Sequence, residues 1–363
     1  MVRLVNALAV LGHRIRLITY FPDLDHFLSE IDLSRVEVIS QRSKSKTTRL
    51  LSIRRTIRSS PPDCIISFLD TPNIIAIASS FGAKPIPVIV SERSYSLSGV
   101  NTATWVRFNT FRWASKIVTN SFAQAQFITT NYPYLTHKLE TVWNSVDLNQ
   151  FRPSKRTHVA NSHLRIAVAA SINPAKNTLA FMRAFRKAIS QNPPIQLAVD
   201  WYGNNFFANG RPTPSSSYYL QALDLRRQLG LESIFRFQEP VKNLQDHLHL
   251  YDAACLPSIY EGCPNWICEG MAAGLPILAS NVSDLPLIVT PEIGWLFAPN
   301  SEDDMTRALI DFAQSTHQTR LQMASAARGR AEQLFSLAAF AERYERLIYE
   351  AIGLCRDQRP TKQ

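Results

Sequence analysis

Residues 254–276 read ACLPSIYEGCPNWICEGMAAGLP. An apolar strand run, ACLPS, passes through a loop, YEGCPN, into a helical run, WICEGMAAG, which Gly274 and Pro276 stop. The same alternation recurs along the chain. IRLITY, VEVIS, CIISFL, IPVIVSE and KIVTNS precede LRIAVAAS, IQLAVDWYG, SIFRFQ, AACLPS, LPILAS and IGWLFAP, with helical patterns between them. This predicts an α/β protein with parallel sheets and crossover helices, built twice. A chain of 363 residues also exceeds what one core serves, so two domains are expected. The polar run FRPSKRTHVANSH, Phe151 to His163, reads as the linker, which places the domains at 1–155 and 164–338.

With 45% hydrophobic and 19% charged residues the chain is neither disordered nor fibrous, and no apolar run approaches the length of a bilayer span. The start, MVRLVNALAVLGHRIRL, carries charge where a signal-peptide core belongs, so a cytoplasmic address is expected. Five cysteines without a C-x-x-C pair read as reduced core residues, and Cys263 with Cys268 lacks the histidines a zinc site needs. The net charge of +10 is unevenly spread. Residues 1–156 hold 20 Lys+Arg against 10 Asp+Glu, whereas 157–363 hold 19 against 19. Seven of the cations lie in segment 42–58 without an acid: Arg42, Lys44, Lys46, Arg49, Arg54, Arg55 and Arg58. With Leu50, Leu51, Ile53 and Ile57 interleaved, the segment reads as a basic amphipathic helix facing an anionic membrane or phosphates, or as a solvated surface helix. No nucleic-acid motif accompanies it.

Gly262 offers no side chain to obstruct a ligand, and the first N–H groups of the helix, around Asn265 and Trp266, carry the positive end of its dipole. With Cys263 and Pro264 they form a loop suited to a diphosphate. Glu261 precedes the loop and Glu269 stands about one turn into the helix, so one nucleotide-sized ligand can meet both carboxylates. Carboxylates accept bonds from sugar hydroxyls. A helix-entry acid and a solvated face acid are the plain alternative, since two glutamates at this spacing occur often by chance. Glu269, however, is flanked by Ile267, Cys268, Met271 and Ala272, where a charge faces either a cleft or a costly burial.

The longer run PSIYEGCPNWICEGMAAGLPILASNVSDLPLIV resembles the signature segment of glycosyltransferase family 4, retaining enzymes of the GT-B architecture that use nucleotide-sugar donors. SFAQAQFITTNYP and KLETVWNSVDLNQFRP resemble the end of that family's first domain, and INPAKNTLAFMRAF the opening of its second. YEGCPNWICE and VIVSERS look most like members that build bacterial O-antigen, capsule or exopolysaccharide. The resemblance implies two Rossmann-like doubly wound domains facing a cleft: an acceptor domain, a nucleotide-sugar domain, and a terminal helix, 339–355, returning towards the first. It implies that Glu261 contacts the donor sugar, Glu269 the ribose, and Lys176 the leaving diphosphate. Gly203 would line the nucleotide pocket, Ser171 stands where members often carry an Arg, and Glu92, Arg93 and Ser94 would face the acceptor. A lysine just after a strand is in any case a suitable point charge for phosphate, although an exposed cap lysine fits equally. No metal and no cofactor is implied beyond the donor. Asp23-Leu24-Asp25 has the letters of a metal-binding pair, but the rest of the chain does not fit that class, so loop and cap acids are expected there.

Family members open with a strand and a Gly-rich loop before a helix ending in a phrase such as LAKRGHEVTLIT, which MVRLVNALAVLGHRIRLIT resembles here. That first strand is missing here, and in the order 3-2-1-4-5-6 its neighbours would keep unpaired N–H and C=O groups. The expected function is transfer of a sugar to a lipid-linked saccharide at an anionic membrane surface, without nucleic acid. A non-catalytic nucleotide-sugar-binding relic and a GT-B-type sugar-nucleotide epimerase are the alternatives.

Overall fold

The computed structural model describes residues 1–20, 28–41, 45–93, 99–154, 163–191, 196–203 and 217–353. Ser94, the Asp23–Asp25 pair, Arg42, Lys44, residues 155–162 of the linker and Cys355 lie outside them. The chain forms two compact units, Met1–Ser145 with Leu337 onward, and Val146–Ser336. Residues 146–154, at the edge of the expected linker, are bound into the second unit. Val146 N–H donates to the Phe335 carbonyl at 3.0 Å, and Arg328 Nη1 donates to the carbonyls of Leu148 and Phe151 at 3.1 and 2.8 Å.

The first unit runs α1 (Val2–Val10), β1 (Ile15–Thr19), β2 (Val36–Ser40), α2 (Lys46–Ser59), β3 (Ile65–Phe68), α3 (Asp70–Ser80), β4 (Val88–Glu92), α4 (Thr102–Thr110), β5 (Lys116–Thr119), α5 (Phe122–Asn131) and β6 (Leu139–Thr141). All its strand pairs are parallel, but they form two sheets, β1-β2 and β3-β4-β5-β6. β1 and β3 are not hydrogen-bonded to each other. Both strands nevertheless share cores on either face. Ile15 packs with Ile66 and Phe68 against Leu4 and Leu8 of α1, and Ile18 packs with Ile65 against Ile53 and Ile57 of α2. An interior strand of a parallel sheet is normally buried throughout, as β4 is, but β1 buries only Leu17 and β3 only Ser67.

Of the apolar residues of segment 42–58, Ile53 and Ile57 are buried in the core, whereas Leu51 is 66% exposed. Arg54 and Arg58 are spent on backbone, closing the end of α3 through the carbonyls of Ala78, Phe81, Ser80 and Lys84.

The second unit runs β7 (Leu164–Ala169), α6 (Thr178–Ile189), β8 (Leu197–Tyr202), α7 (Ser217–Gln228), β9 (Phe235–Gln238), β10 (Ala253–Leu256), α8 (Asn265–Ala272), β11 (Ile277–Ser280), α9 (Leu285–Ile288), β12 (Gly294–Phe297), α10 (Glu302–Gln314) and α11 (His317–Leu334). Its six strands form one parallel sheet in the order β12-β11-β10-β7-β8-β9. The order reverses between β7 and β10. Such a switch point opens a crevice beyond the carboxyl ends of the two strands, where ligands of doubly wound sheets bind. The last helix, α12 (Leu337–Ile352), belongs to the first unit, where Phe340, Tyr344 and Leu347 pack with Leu4 and Leu8.

Candidate functional site

The loops that leave β7 and β10 carry the two residues expected to do the chemistry. After β7 the chain turns through Pro174–Lys176, a 3₁₀ turn capped by Asn173, whose Oδ1 accepts the Lys176 N–H at 3.2 Å. Asn177 then takes the left-handed conformation, φ 58°, and its Nδ2 donates to the Pro299 carbonyl at 2.7 Å. Asparagine tolerates that region and bonds locally, so the NPAKN run fixes its own shape. After β10 the Ile259 N–H donates to the Ala175 carbonyl at 2.8 Å, stitching the two loops together. The result brings Lys176 Nζ within 2.5 Å of Glu261 Oε1. Glu261 is nine-tenths buried and Lys176 about a quarter exposed, so the pair sits at a partly dry opening.

Gly203 follows β8 directly beneath the β7 loop. A Cβ there would lie 1.8 Å from the Ala170 carbonyl oxygen and 3.4 Å from Ser171 Cα, so only glycine lets the loop cross. The same carbonyl accepts Trp201 Nε1–H at 2.8 Å. Ser171, half-buried, is thereby held beside the end of the neighbouring strand.

The helix α8 begins at Asn265, after Gly262, Cys263 and Pro264. Asn265 is exposed, but Cys263 and Trp266 are each 5% exposed, and Trp266 Nε1 donates to the Cys255 carbonyl at 3.0 Å. Their side chains are packing, so what they offer a ligand is backbone. Gly270 lets α8 lie on β10, since a Cβ there would stand 2.7 Å from that of Ala254. Glu269 is half-buried on α8. Cys255, Cys263 and Cys268 are buried free thiols, and burial pushes those of Cys255 and Cys268 well up, which makes them inert as nucleophiles. Among the described residues no group of His, Cys, Asp and Glu has the arrangement of a metal site.

In the first unit Glu92 ends β4 at 1% exposure. Neither of its oxygens accepts a hydrogen bond, and Arg107 Nη1, which pairs with Asp70 at 2.6 Å, is 3.6 Å away. Burial pushes the Glu92 carboxyl up to about 7 against the opposing pull of Arg107. The Asp70 carboxylate adds to the rise and Asn73 opposes it, while the Asn73 amide donates to the Ser91 carbonyl at 3.1 Å. Arg93 donates to Asn144 Oδ1 at 2.6 Å and to the Tyr344 hydroxyl at 3.0 Å, and its guanidinium stacks over Phe68 at 4.9 Å. It holds β4 to α12.

Two family models match, one on each half: Glycosyltransferase Family 4 over residues 1–150, and Glycosyl transferases group 1 over residues 163–315. The chain belongs to glycosyltransferase family 4. Among curated relatives it is 28% identical over 211 residues to the D-inositol 3-phosphate glycosyltransferase of Saccharomonospora viridis, covering 55% of this chain and 48% of that protein. It is 26% identical over 184 residues to the UDP-Gal:alpha-D-GlcNAc-diphosphoundecaprenol alpha-1,3-galactosyltransferase of Escherichia coli, covering 48% and 44%. The chain thus spans about half the length of the curated relatives it matches. Anabaena Alr3699/HepE, solved in complex with UDP and glucose, superposes with a TM-score of 0.81 at 17% identity, covering 96% of this chain and 95% of that one. This likeness establishes the GT-B fold. For this family 4 member, sequence reasoning missed Asn173 and Asn177, although the Asn-Pro turn signal in NPAKN was there to read.

Proposed function

We propose that the chain is a retaining, metal-independent glycosyltransferase that moves a sugar from a nucleotide-diphosphate donor to a lipid-linked saccharide in bacterial surface polysaccharide synthesis. The observation that carries this is the Lys176–Glu261 pair, held by two stitched loops at the sheet's switch point, with Glu269 on the helix that follows. The named relatives support the reading of donor and acceptor: one structural neighbour holds UDP and glucose, and one relative is named for a lipid-diphosphate acceptor.

In this reading the donor diphosphate takes Lys176 Nζ from Glu261. The ammonium then stabilises charge as it develops on the leaving group, and Glu261 is released towards the sugar hydroxyls. Glu269 accepts from the ribose. The remaining task is to hold donor and acceptor close, since transfer with retention asks little covalent chemistry of these side chains. The basic first half keeps the enzyme at the inner face of an anionic membrane, where the acceptor resides.

The test is a panel of nucleotide sugars with extracted lipid-linked acceptors, read as nucleotide release and sugar transfer together. Lys176→Ala and Glu269→Gln should each lower transfer by about a hundredfold or more, the scale of losing one stabilising group in the transition state. Unchanged rates in both variants would remove the assignment. Nucleotide-sugar binding without release would favour the non-catalytic reading, and release of an altered free donor the epimerase.

A further inference from the structure

The first unit carries a second feature that transfer does not use. Trp105 on α4 and Trp113 in the turn Phe111–Trp113 are 57% and 55% exposed. Neither ring is isolated. Trp113 meets the exposed Phe81 edge-on at 6.1 Å, and Arg112 lies over the Trp113 ring at 5.5 Å. Asn109, one helical turn beyond Trp105, donates its Nδ2 to the Trp105 carbonyl at 2.9 Å and accepts at Oδ1 from the Tyr134 hydroxyl at 3.0 Å. Arg112, close enough to Tyr134 to act on its hydroxyl electrostatically, joins this group to Trp113 and Phe81. Its exposed cations are Arg112 and Lys84, neither of which forms an ion pair with a described acid, whereas Lys138 and Arg54 are held on backbone carbonyls.

We propose that this aromatic and basic face docks on an anionic phospholipid bilayer. It deepens the membrane reading above by naming the surface. Tryptophan and tyrosine are amphipathic and settle at headgroup depth, where their apolar rings and polar tips are both satisfied. The unpaired cations match lipid phosphates, and each basic residue near such a surface adds to the attraction. A single-stranded nucleic acid is the less suited partner. It needs open ring faces for base stacking, whereas Arg112 covers one face of Trp113 and Phe81 its edge.

The test is cosedimentation of the full chain with vesicles of phosphatidylcholine alone and mixed with phosphatidylglycerol. Binding is expected to the mixed vesicles only, and to weaken with salt. The pair Trp105→Ala/Trp113→Ala and the pair Lys84→Glu/Arg112→Glu should each lower partitioning by about tenfold or more. Both positions are exposed, and an unchanged melting temperature confirms folding. Sugar transfer to a water-soluble acceptor should be unchanged in both pairs, so failure of the surface is separable from failure of the active site. The proposal falls if the wild type ignores anionic vesicles, or if either pair binds them as well as the wild type. It falls equally if the tryptophan pair abolishes instead a concentration-dependent dimer or oligonucleotide binding while vesicle binding persists.

Discussion

Gly203 shows how one missing methyl group places a loop. In Gly203→Ala the new Cβ meets a backbone carbonyl, which cannot swing aside as a side chain can, so the β7 loop must move. A cost of about 2 kcal/mol in stability is expected on the scale of overpacking, with weaker nucleotide binding by calorimetry because Ser171 and Lys176 ride on that loop. Glu92 makes a different prediction. Its folded carboxyl titrates near 7 rather than at the ordinary 4.5, so the native state holds a proton that the unfolded chain has lost. Its contribution is intact below pH 4.5 and declines as pH rises through about 7. Glu92→Gln should therefore melt increasingly above the wild type from pH 5 to pH 8, by an amount on the order of 3 kcal/mol at the alkaline end. Parallel melting curves across that range would contradict it. At this scale the sequence was legible for residue type but not for contact. Glu261 and Lys176 each stood out by motif, yet their pairing across 85 residues depends on which two strands flank the switch point.

Strands and helices show where single-chain reading succeeds and where it stops. The strand runs were visible because alternation and β-branched composition are local properties. The network that binds β7, β8 and β9 was not. Asp200, 1% exposed in β8, accepts from Arg165 of β7 at 2.6 Å, from Arg236 of β9 at 2.7 Å and from the Tyr251 hydroxyl at 3.1 Å. Burial raises the Asp200 carboxyl, but the two guanidinium groups outweigh it and hold it below the usual range. The stability it lends is thus present above the ordinary carboxylate range and lost as pH falls through its lowered value. Asp200→Asn should cost about 2 kcal/mol, less than a fully buried pair because both arginines are partly exposed, and should flatten the acid limb of stability against pH. The amphipathic pattern of α2 was legible, but not which of its apolar residues are covered: Ile53 and Ile57 are buried and Leu51 is exposed. Periodicity shows that a helix has an apolar side, but the identity of its neighbour, here α3 and the Ile75–Ile86 cluster, is a tertiary fact.

At the scale of the molecule, the two-unit plan followed from repeated alternation and length, and the second unit's strand order is the one the resemblance implied. In the first unit β1 pairs with β2, while β3 to β6 form a sheet of their own. The N–H groups of β4, paired on both sides and buried throughout, are expected to exchange at least a hundredfold slower than those of β6, an edge strand without a buried residue. Equal protection of the two strands would contradict this.

Arg328 fastens the carbonyls of Leu148 and Phe151 to the second unit through a single guanidinium nitrogen. Limited proteolysis should therefore spare residues 146–154 in the wild type and cut there in Arg328→Ala. Equal digestion of the two proteins would show the clasp to be dispensable.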